Sequence, residues 1–134
     1  MTESFLIKDF MNPNPVTVQP DTNIVDVAKI TLKNKISGVL VVDKSKVLLG
    51  MISELDCLRE MSGSIYHEGR NASSLRAQDI MTKEVTIVLP DAQLFDVMTS
   101  MLHQGQRRRP VVENGKLIGQ VTCRQLLKII TSFS

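Results

Sequence analysis

The sequence predicts an α+β protein made of two copies of one βαββα unit. The copies align at a shift of 70 residues, so that Asp26 of the first copy meets Asp96 of the second. After residues 43–46 the shift becomes 69, and Gly50 meets Gly119. A length difference of this kind is tolerated in a turn. Self-similarity at a fixed period indicates a repeated supersecondary unit.

Each copy has the same order of elements: a strand, a helix, a strand hairpin and a final helix. The first helix of the first copy follows Pro20, and we expect Asp21 to be its N-cap. Apolar residues at helical spacing indicate the other helices. The predicted strands are 16–18, 39–42 and 47–52 in the first copy and 85–87, 110–112 and 117–121 in the second.

The repeats predict a chain of three parts. Residues 1–61 form the first motif, residues 62–76 a linker rich in Gly, Ser and Asn, and residues 77–134 the second motif. One copy has about 55 residues, which is too few to bury both faces of a sheet. We therefore expect the two copies to pack sheet to sheet.

Composition excludes several function classes. The chain has 134 residues and a net charge of +2, which does not favour electrostatic binding of nucleic acid. Cys57 and Cys123 cannot form a disulfide framework, and no cluster of metal ligands or catalytic groups is recognisable. No apolar run is long enough to span a membrane, and no signal peptide is indicated, so we expect a cytoplasmic protein.

Several stretches occur in the same order in both copies and carry a family resemblance. They are Ile7 to Met11, Val16 to Asp21, Lys35 to Asp43 and Leu49 to Asp56, then Asp79 to Thr82, Val85 to Asp91, Arg108 to Glu113 and Lys116 to Thr122. Each copy resembles a CBS domain, and the chain resembles a stand-alone CBS pair, the Bateman module.

This resemblance implies two motifs related by a pseudo-twofold axis, with two clefts between them and a homodimeric assembly. Such clefts commonly hold AMP, ADP or ATP, or another adenosine ligand such as NAD or S-adenosylmethionine. The resemblance also implies a non-catalytic regulatory role in signal transduction, and here the effector protein would be a separate chain. The alternative is a structural dimerisation module with no bound nucleotide.

The stretch from Gly50 to Asp56 passes from the last strand of the first copy into its final helix. Ser53 is placed at the helix start, where its hydroxyl and nearby N–H groups can meet a phosphate. Asp56 follows about one turn later, and its carboxylate can accept both hydroxyls of a ribose. Both residues are also explained as a helix cap and a first-turn acid, without any ligand.

The second copy departs from this pattern. Thr122 keeps the hydroxyl, but Gln125 stands at the position equivalent to Asp56. A neutral amide binds a hydroxyl more weakly than a carboxylate does. We therefore expect one good site per chain, while the occupancy of the second site stays open, as does the identity of the nucleotide.

The remaining candidate residues concern the base and the phosphates. The base is expected against Thr17, Val18, Ile36, Ser37 and Gly38, which are explained equally well as core. Three arginines precede Pro110, and the resemblance makes Arg107 and Arg108 the candidates for phosphate binding. A solvated loop is the alternative for this run, and nucleic-acid binding is a weaker one because no aromatic residues accompany it.

Overall fold

The computed structural model describes residues 5–66 and 74–133 of the chain. The polypeptide divides into two compact units. The first-copy unit spans Val16–Val85, and the second-copy unit combines Met1–Pro15 with Thr86–Ser134. These units are defined by packing, whereas the boundaries of the repeats come from sequence similarity and stay a prediction.

In its described residues, 16–66 and 74–85, the first-copy unit contains a three-stranded sheet and three helices. Its elements are β1 (Thr17–Val18), α1 (Ile24–Lys33), β2 (Gly38–Val42), β3 (Leu48–Ser53), α2 (Glu54–Tyr66) and α3 (Ala77–Ile80). β2 lies at the centre, parallel to β1 and antiparallel to β3. All of β2 is buried, as its uninterrupted apolar sequence requires.

The second-copy unit contains a two-stranded sheet and two longer helices. Its elements are a turn of 3-10 helix (Ile7–Asp9), α4 (Leu94–Gln104), β4 (Arg108–Glu113), β5 (Lys116–Thr122) and α5 (Cys123–Ser132). β4 and β5 are antiparallel and are joined by Asn114 and Gly115, both with positive φ. This two-residue turn is typical of a tight hairpin. The turn between β2 and β3 is longer, which explains the change of shift from 70 to 69.

Each unit has an apolar core of its own, built mainly from aliphatic side chains. The fully buried members of the first-copy core include Val27, Val39, Val41 and Ile52, and those of the second-copy core include Ile7, Leu94 and Val111. Among the side chains that the structure describes, aromatic rings contact one another in the second-copy unit, at centroid distances of 5.5 to 6.5 Å. The rings are those of Phe5, Phe10, Phe95 and Phe133.

The predicted strand at residues 85–87 is wrong. A single parallel bridge from Val88 to β4 takes its place. In the first copy, the N–H of Leu40 donates to the carbonyl oxygen of Val16 at 3.5 Å. The equivalent residue of β4 is Pro110, which has no N–H to donate. The parallel ladder therefore cannot extend in the second copy.

The predicted N-cap of α1 is also wrong. Asn23, rather than Asp21, caps the helix, because its Oδ1 accepts the N–H of Val25 at 2.8 Å. α2 runs on to Tyr66, inside the segment 62–76 that the sequence predicts as a linker. Residues 67–73 of that segment lie outside the described residues.

The first residues of each copy pack in the unit of the other copy. Residues 5–15 belong to the second-copy unit, and residues 77–85 belong to the first-copy unit; we call these the lead segments. Ile7 and Ala77 occupy equivalent positions in them, and both are fully buried. Each core is therefore completed by chain that is distant in sequence.

Reciprocal backbone hydrogen bonds join each lead segment to the last strand of its unit. Met51 of β3 and Thr82 exchange N–H···O bonds of 3.0 and 2.9 Å. Asn12 and Gln120 of β5 exchange two bonds of 2.9 Å each. The same junction is thus formed twice, once in each copy.

A glycine beside each junction permits this close approach. A Cβ on Gly50 would lie 2.8 Å from a backbone carbonyl oxygen of the lead segment, and a Cβ on Gly119 would lie 2.9 Å from the equivalent atom. The side chains of Met81 and Met11 cover the two glycines. The glycine of each repeated stretch therefore has a packing role that does not involve a ligand.

The Gly119→Ala substitution is expected to lower the free energy of unfolding by about 1–3 kcal/mol, because the added methyl group overlaps backbone atoms. Urea denaturation measures this change. Ser45→Ala, in an exposed turn, is the control and should stay within about 0.5 kcal/mol of the wild type. Equal stability of Gly119→Ala and the wild type would contradict the close packing of the lead segment on β5.

Cys57 is a core residue of the first-copy unit and is 5% exposed. Burial raises the pKa of its thiol above the ordinary value of 9.0, and the negative charges of Asp56 and Glu54 raise it further. The unfolded chain therefore ionises this thiol at a lower pH than the folded protein does. The stability that the neutral thiol contributes is present below about pH 9 and is lost as the pH rises through the folded-state pKa.

We therefore expect the wild type to lose stability relative to Cys57→Ala as the pH rises above about 9. Chemical denaturation of both proteins across this range measures the difference. Groups that titrate in both proteins cancel in the comparison, and the cost of the smaller side chain does not vary with pH. Parallel stability curves would contradict the raised pKa.

Candidate functional site

The pair of residues predicted to bind a ribose lies where β3 ends and α2 begins. Oγ of Ser53 accepts the N–H of Asp56 at 3.1 Å, and Oδ2 of Asp56 accepts the N–H of Ser53 at 2.8 Å. This reciprocal pattern is a capping box. The structural role that the sequence allowed for both side chains is therefore present.

The carboxylate of Asp56 retains hydrogen-bonding capacity beyond the cap. Its Oδ1 lies 3.2 Å from Nη1 of Arg59, a side chain that is 61% exposed. An ionised carboxylate offers about four acceptor positions, so about two are still available. Because the Asp56 side chain is 19% exposed, hydroxyl groups can reach it from solvent. A ligand role is compatible with the cap and stays a prediction.

Two of the residues predicted to contact the base adjoin the capping box. Gly38 is paired with Ser53 across β2 and β3. The carbonyl oxygen of Ser37 accepts the N–H of Glu54 at 2.9 Å. A Cβ on Gly38 would lie 2.7 Å from a carbonyl oxygen of β3, so only glycine fits here. The structure thus brings Ser37 and Gly38 together with Ser53 and Asp56.

The other three residues predicted to contact the base have different surroundings. Val18 is 4% exposed and packs inside the first-copy core. Ile36 is half-buried and packs against the same core. Thr17 is exposed on β1. Core packing thus accounts for Val18 and Ile36, as the sequence allowed, and a contact of any of the three with a base stays a prediction.

The equivalent junction in the second-copy unit is built differently. Oγ1 of Thr122 accepts the N–H of Gln125 at 3.2 Å, which caps α5. The amide of Gln125 turns instead to the lead segment, where its Nε2 donates to the carbonyl oxygen of Phe10. Its Oε1 is buried and has no hydrogen-bond partner among residues 5–66 and 74–133. Asp56 thus accepts a hydrogen bond that caps its helix, whereas the equivalent Gln125 is hydrogen-bonded to the lead segment.

A shallow depression of about 200 Å³ lies at this second junction. The residues that line it are Asn12, Thr122, Arg124, Gln125 and Lys128. Two of its five lining side chains are cationic, whereas the α2 junction carries two carboxylates in the first turn of its helix. The two junctions therefore differ in charge.

The three consecutive arginines have three different environments. Arg107 is exposed, and its carbonyl oxygen accepts the N–H of Cys123 at 2.9 Å. Arg108 is half-buried, with Nη1 at 3.5 Å from Oε1 of Gln120. Arg109, which the sequence did not select, is 5% exposed. Phosphate binding by Arg107 and Arg108, and ligand binding by Thr122, stay predictions.

The part of the chain that the structure describes contains neither a membrane-spanning helix nor a cluster of metal ligands. None of its helices has the length and apolar character needed to cross a membrane. Its His, Cys, Asp and Glu side chains form no group of three or more that could hold a metal ion.

Solved structures with the same architecture include two that match almost the whole chain. A Vibrio cholerae protein described as an acetoin utilization protein, AcuB, has a TM-score of 0.88 and 25% identity, covering 98% of this chain and 93% of its own. CBSX2, a CBS-pair protein from Arabidopsis thaliana, has a TM-score of 0.84 and 27% identity. That structure is a complex with AMP, and the match covers 96% of this chain and 98% of CBSX2.

Similar sequences include both a chain of comparable length and a much longer enzyme. An uncharacterized protein from Methanocaldococcus jannaschii is 30% identical over 156 residues, covering 96% of this chain and 92% of that protein. Inosine-5'-monophosphate dehydrogenase from Aquifex aeolicus is 33% identical over 117 residues, but the match spans only 22% of the enzyme.

The family model for the CBS domain matches the chain twice, at residues 7–63 and 77–132. These matches contain the two copies of strands and helices described above. The chain belongs to the CBS domain family, as a tandem pair of CBS repeats of mixed α and β structure.

Proposed function

We propose that this protein is a non-catalytic regulatory module that binds an adenosine-containing ligand of the AMP, ADP or ATP class and signals to a separate effector protein. One observation carries the proposal: the half-buried carboxylate of Asp56, held by Ser53 in a capping box, has acceptor positions available beside Gly38. Binding would favour one conformation over another and so regulate the effector.

The chemistry of the α2 junction fits a ribose better than a phosphate. The two hydroxyls of a ribose can donate to the carboxylate of Asp56, and such charge-assisted hydrogen bonds are roughly twice as strong as neutral ones. Glu54 and Asp56 both place negative charge in the first turn of α2, which opposes the attraction of the helix dipole for a phosphate. The phosphates therefore need cationic partners, and the proposal names Arg107 and Arg108 for this role.

Two comparisons support the regulatory role. CBSX2, which is similar over almost the whole chain, has a structure in complex with AMP. The match to the dehydrogenase spans only 22% of that enzyme, so its activity is not carried over to this chain. An adenosine ligand and a role without catalysis are thus the simplest proposal. NAD and S-adenosylmethionine are the other adenosine ligands to test, and a cytoplasmic location stays a prediction.

Exposed leucines at equivalent positions support a homodimer as part of the proposal. Leu32 of α1 and Leu102 of α4 are 71% and 75% exposed. Leu58 of α2 and Leu127 of α5 are each 65% exposed. Single exposed apolar side chains are common on protein surfaces. Their repetition on the helices of each unit supports apolar contacts of both units with a second copy of this chain.

A second candidate function is a structural dimerisation module with no bound nucleotide. The capping roles of Ser53 and Asp56 favour it, because they explain both residues without a ligand. In the second copy, the hydrogen bond from Gln125 to the lead segment also favours a structural module. The two candidates predict opposite results in a binding experiment.

Asp56→Asn is expected to weaken AMP binding at least about tenfold, because a neutral amide replaces a charged acceptor of the ribose hydroxyls. The fold should persist, since the amide oxygen can still accept the N–H of Ser53. Isothermal titration calorimetry of wild type and variant measures the effect.

Glu54→Gln is the matched control, since it removes one negative charge from the same helical turn on an exposed side chain. It should leave the affinity within about twofold, or strengthen it slightly by reducing repulsion of the phosphate. No binding of AMP, ADP, ATP, NAD or S-adenosylmethionine at millimolar concentration would favour the structural module. Turnover of ATP that is lost in Asp56→Asn would contradict the absence of catalysis.

Replacing both Leu58 and Leu127 by Glu is expected to abolish self-association, because burying two added charges opposes contact between apolar faces. Sedimentation velocity should give the wild type twice the chain mass of 14.9 kDa and the double variant a single chain mass. Lys29→Glu, on an exposed position of α1, is the control. A dimer that survives in the double variant would place the interface elsewhere.

A further inference from the structure

A chain of polar side chains lies on the second-copy unit around Arg109. Nε of Arg109 donates to Oε1 of Gln106 at 2.6 Å, and its Nη2 donates to Oγ of Ser100 at 2.8 Å. Nε2 of Gln106 donates in turn to Oγ1 of Thr86 at 3.1 Å. The four side chains connect α4 and β4 with the segment that precedes Val88.

The first copy has no such cluster. Its residues equivalent to Thr86, Ser100, Gln106 and Arg109 are Val16, Ile30, Ile36 and Val39. These four apolar residues belong to the first-copy core or pack against it. This group of four equivalent positions, which we call the corner, is therefore apolar in the first copy and polar in the second.

Arg109 brings a positive charge into this corner. The side chain is 5% exposed. Its two hydrogen-bond partners are neutral, and no ion pair joins it to an Asp or Glu among residues 5–66 and 74–133. Arginine is almost never fully buried unless it is paired, because burying an uncompensated charge is costly. Charge balance at this corner therefore calls for an anion that the described residues do not supply.

One edge of the guanidinium has no hydrogen-bond partner in the part of the chain that the structure describes. Nε and Nη2 are used within the cluster, whereas Nη1 has no hydrogen bond to a described residue. Arg109 is 5% exposed, so this edge meets solvent over a small area at most. The cluster reaches the surface at Thr86, which is exposed. The Thr86 hydroxyl accepts from Gln106 and can still donate its own proton.

We propose that Arg109 is the centre of a binding site for a tetrahedral oxyanion, a phosphate group, in the second-copy unit. Nη1 of Arg109 is the donor, Gln106 and Ser100 hold the guanidinium in place, and Thr86 extends the cluster to the surface. Arginine is suited to this role because its planar fork of N–H donors matches phosphate geometry. This site does not include Ser53 or Asp56, and it does not depend on the proposed adenosine ligand.

Thermal unfolding in sodium phosphate, compared with sodium chloride at equal ionic strength, tests the site with inorganic phosphate as the probe. At a concentration tenfold above the dissociation constant, the wild-type Tm should rise by about 5 °C. Arg109→Met should abolish this rise. Lys29→Met, which removes one positive charge from an exposed position in the other unit, should keep it.

A fourfold variant provides a second test in case Arg109→Met does not fold. Thr86→Val, Ser100→Ile, Gln106→Ile and Arg109→Val together reproduce the apolar corner of the first copy, and this variant should fold and show no rise. Asp56→Asn should keep the full rise, which separates this site from the proposed function. A rise that persists in either Arg109 variant, or a wild-type rise no larger in phosphate than in chloride, would overturn the proposal.

Discussion

The reciprocal pair of backbone hydrogen bonds between each lead segment and the last strand of its unit is the constraint on which the rest of the structure depends. It occurs at Met51 with Thr82 and at Asn12 with Gln120. It holds each lead segment, which is distant in sequence, against the sheet of its unit. The lead segments complete both cores. Because the approach leaves no room for a Cβ on the adjoining strand, a glycine is required in each copy.

The same constraint fixes the place where each last strand gives way to a helix. In the first copy, Ser53 and Asp56 form a capping box at this junction, and the Asp56 carboxylate keeps acceptor positions toward solvent. In the second copy the helix is capped by Thr122 alone, and Gln125 binds the carbonyl oxygen of Phe10 in the lead segment. One framework thus carries two junctions with different chemistry, of which only the first offers a carboxylate to a ligand.

Local patterns predicted most of the fold, because apolar spacing and turn residues act within a few positions. The strand expected at residues 85–87 is absent because its partner position on β4 is Pro110, which has no N–H to donate. Residues 85–87 alone do not show this, since the pairing joins residues that are distant in sequence. The lead segments could not be assigned to their units from local patterns, since their contacts are long-range. For the candidate site, the sequence predicted that Ser53 and Asp56 meet at one helix start, and the structure has them there. The burial of Arg109 could not be predicted, because it depends on the packing of α4 on β4.

The two units therefore share a backbone framework and differ in where charge is placed. The first-copy unit holds a half-buried carboxylate at its helix start, and the second-copy unit holds a buried guanidinium. The central claim, that Asp56 binds the ribose of an adenosine ligand, is tested most directly by a crystal structure of the protein grown with AMP. The account predicts both ribose hydroxyls within hydrogen-bond distance of the Asp56 carboxylate. AMP bound away from Asp56, or no AMP at saturating concentration, would contradict it.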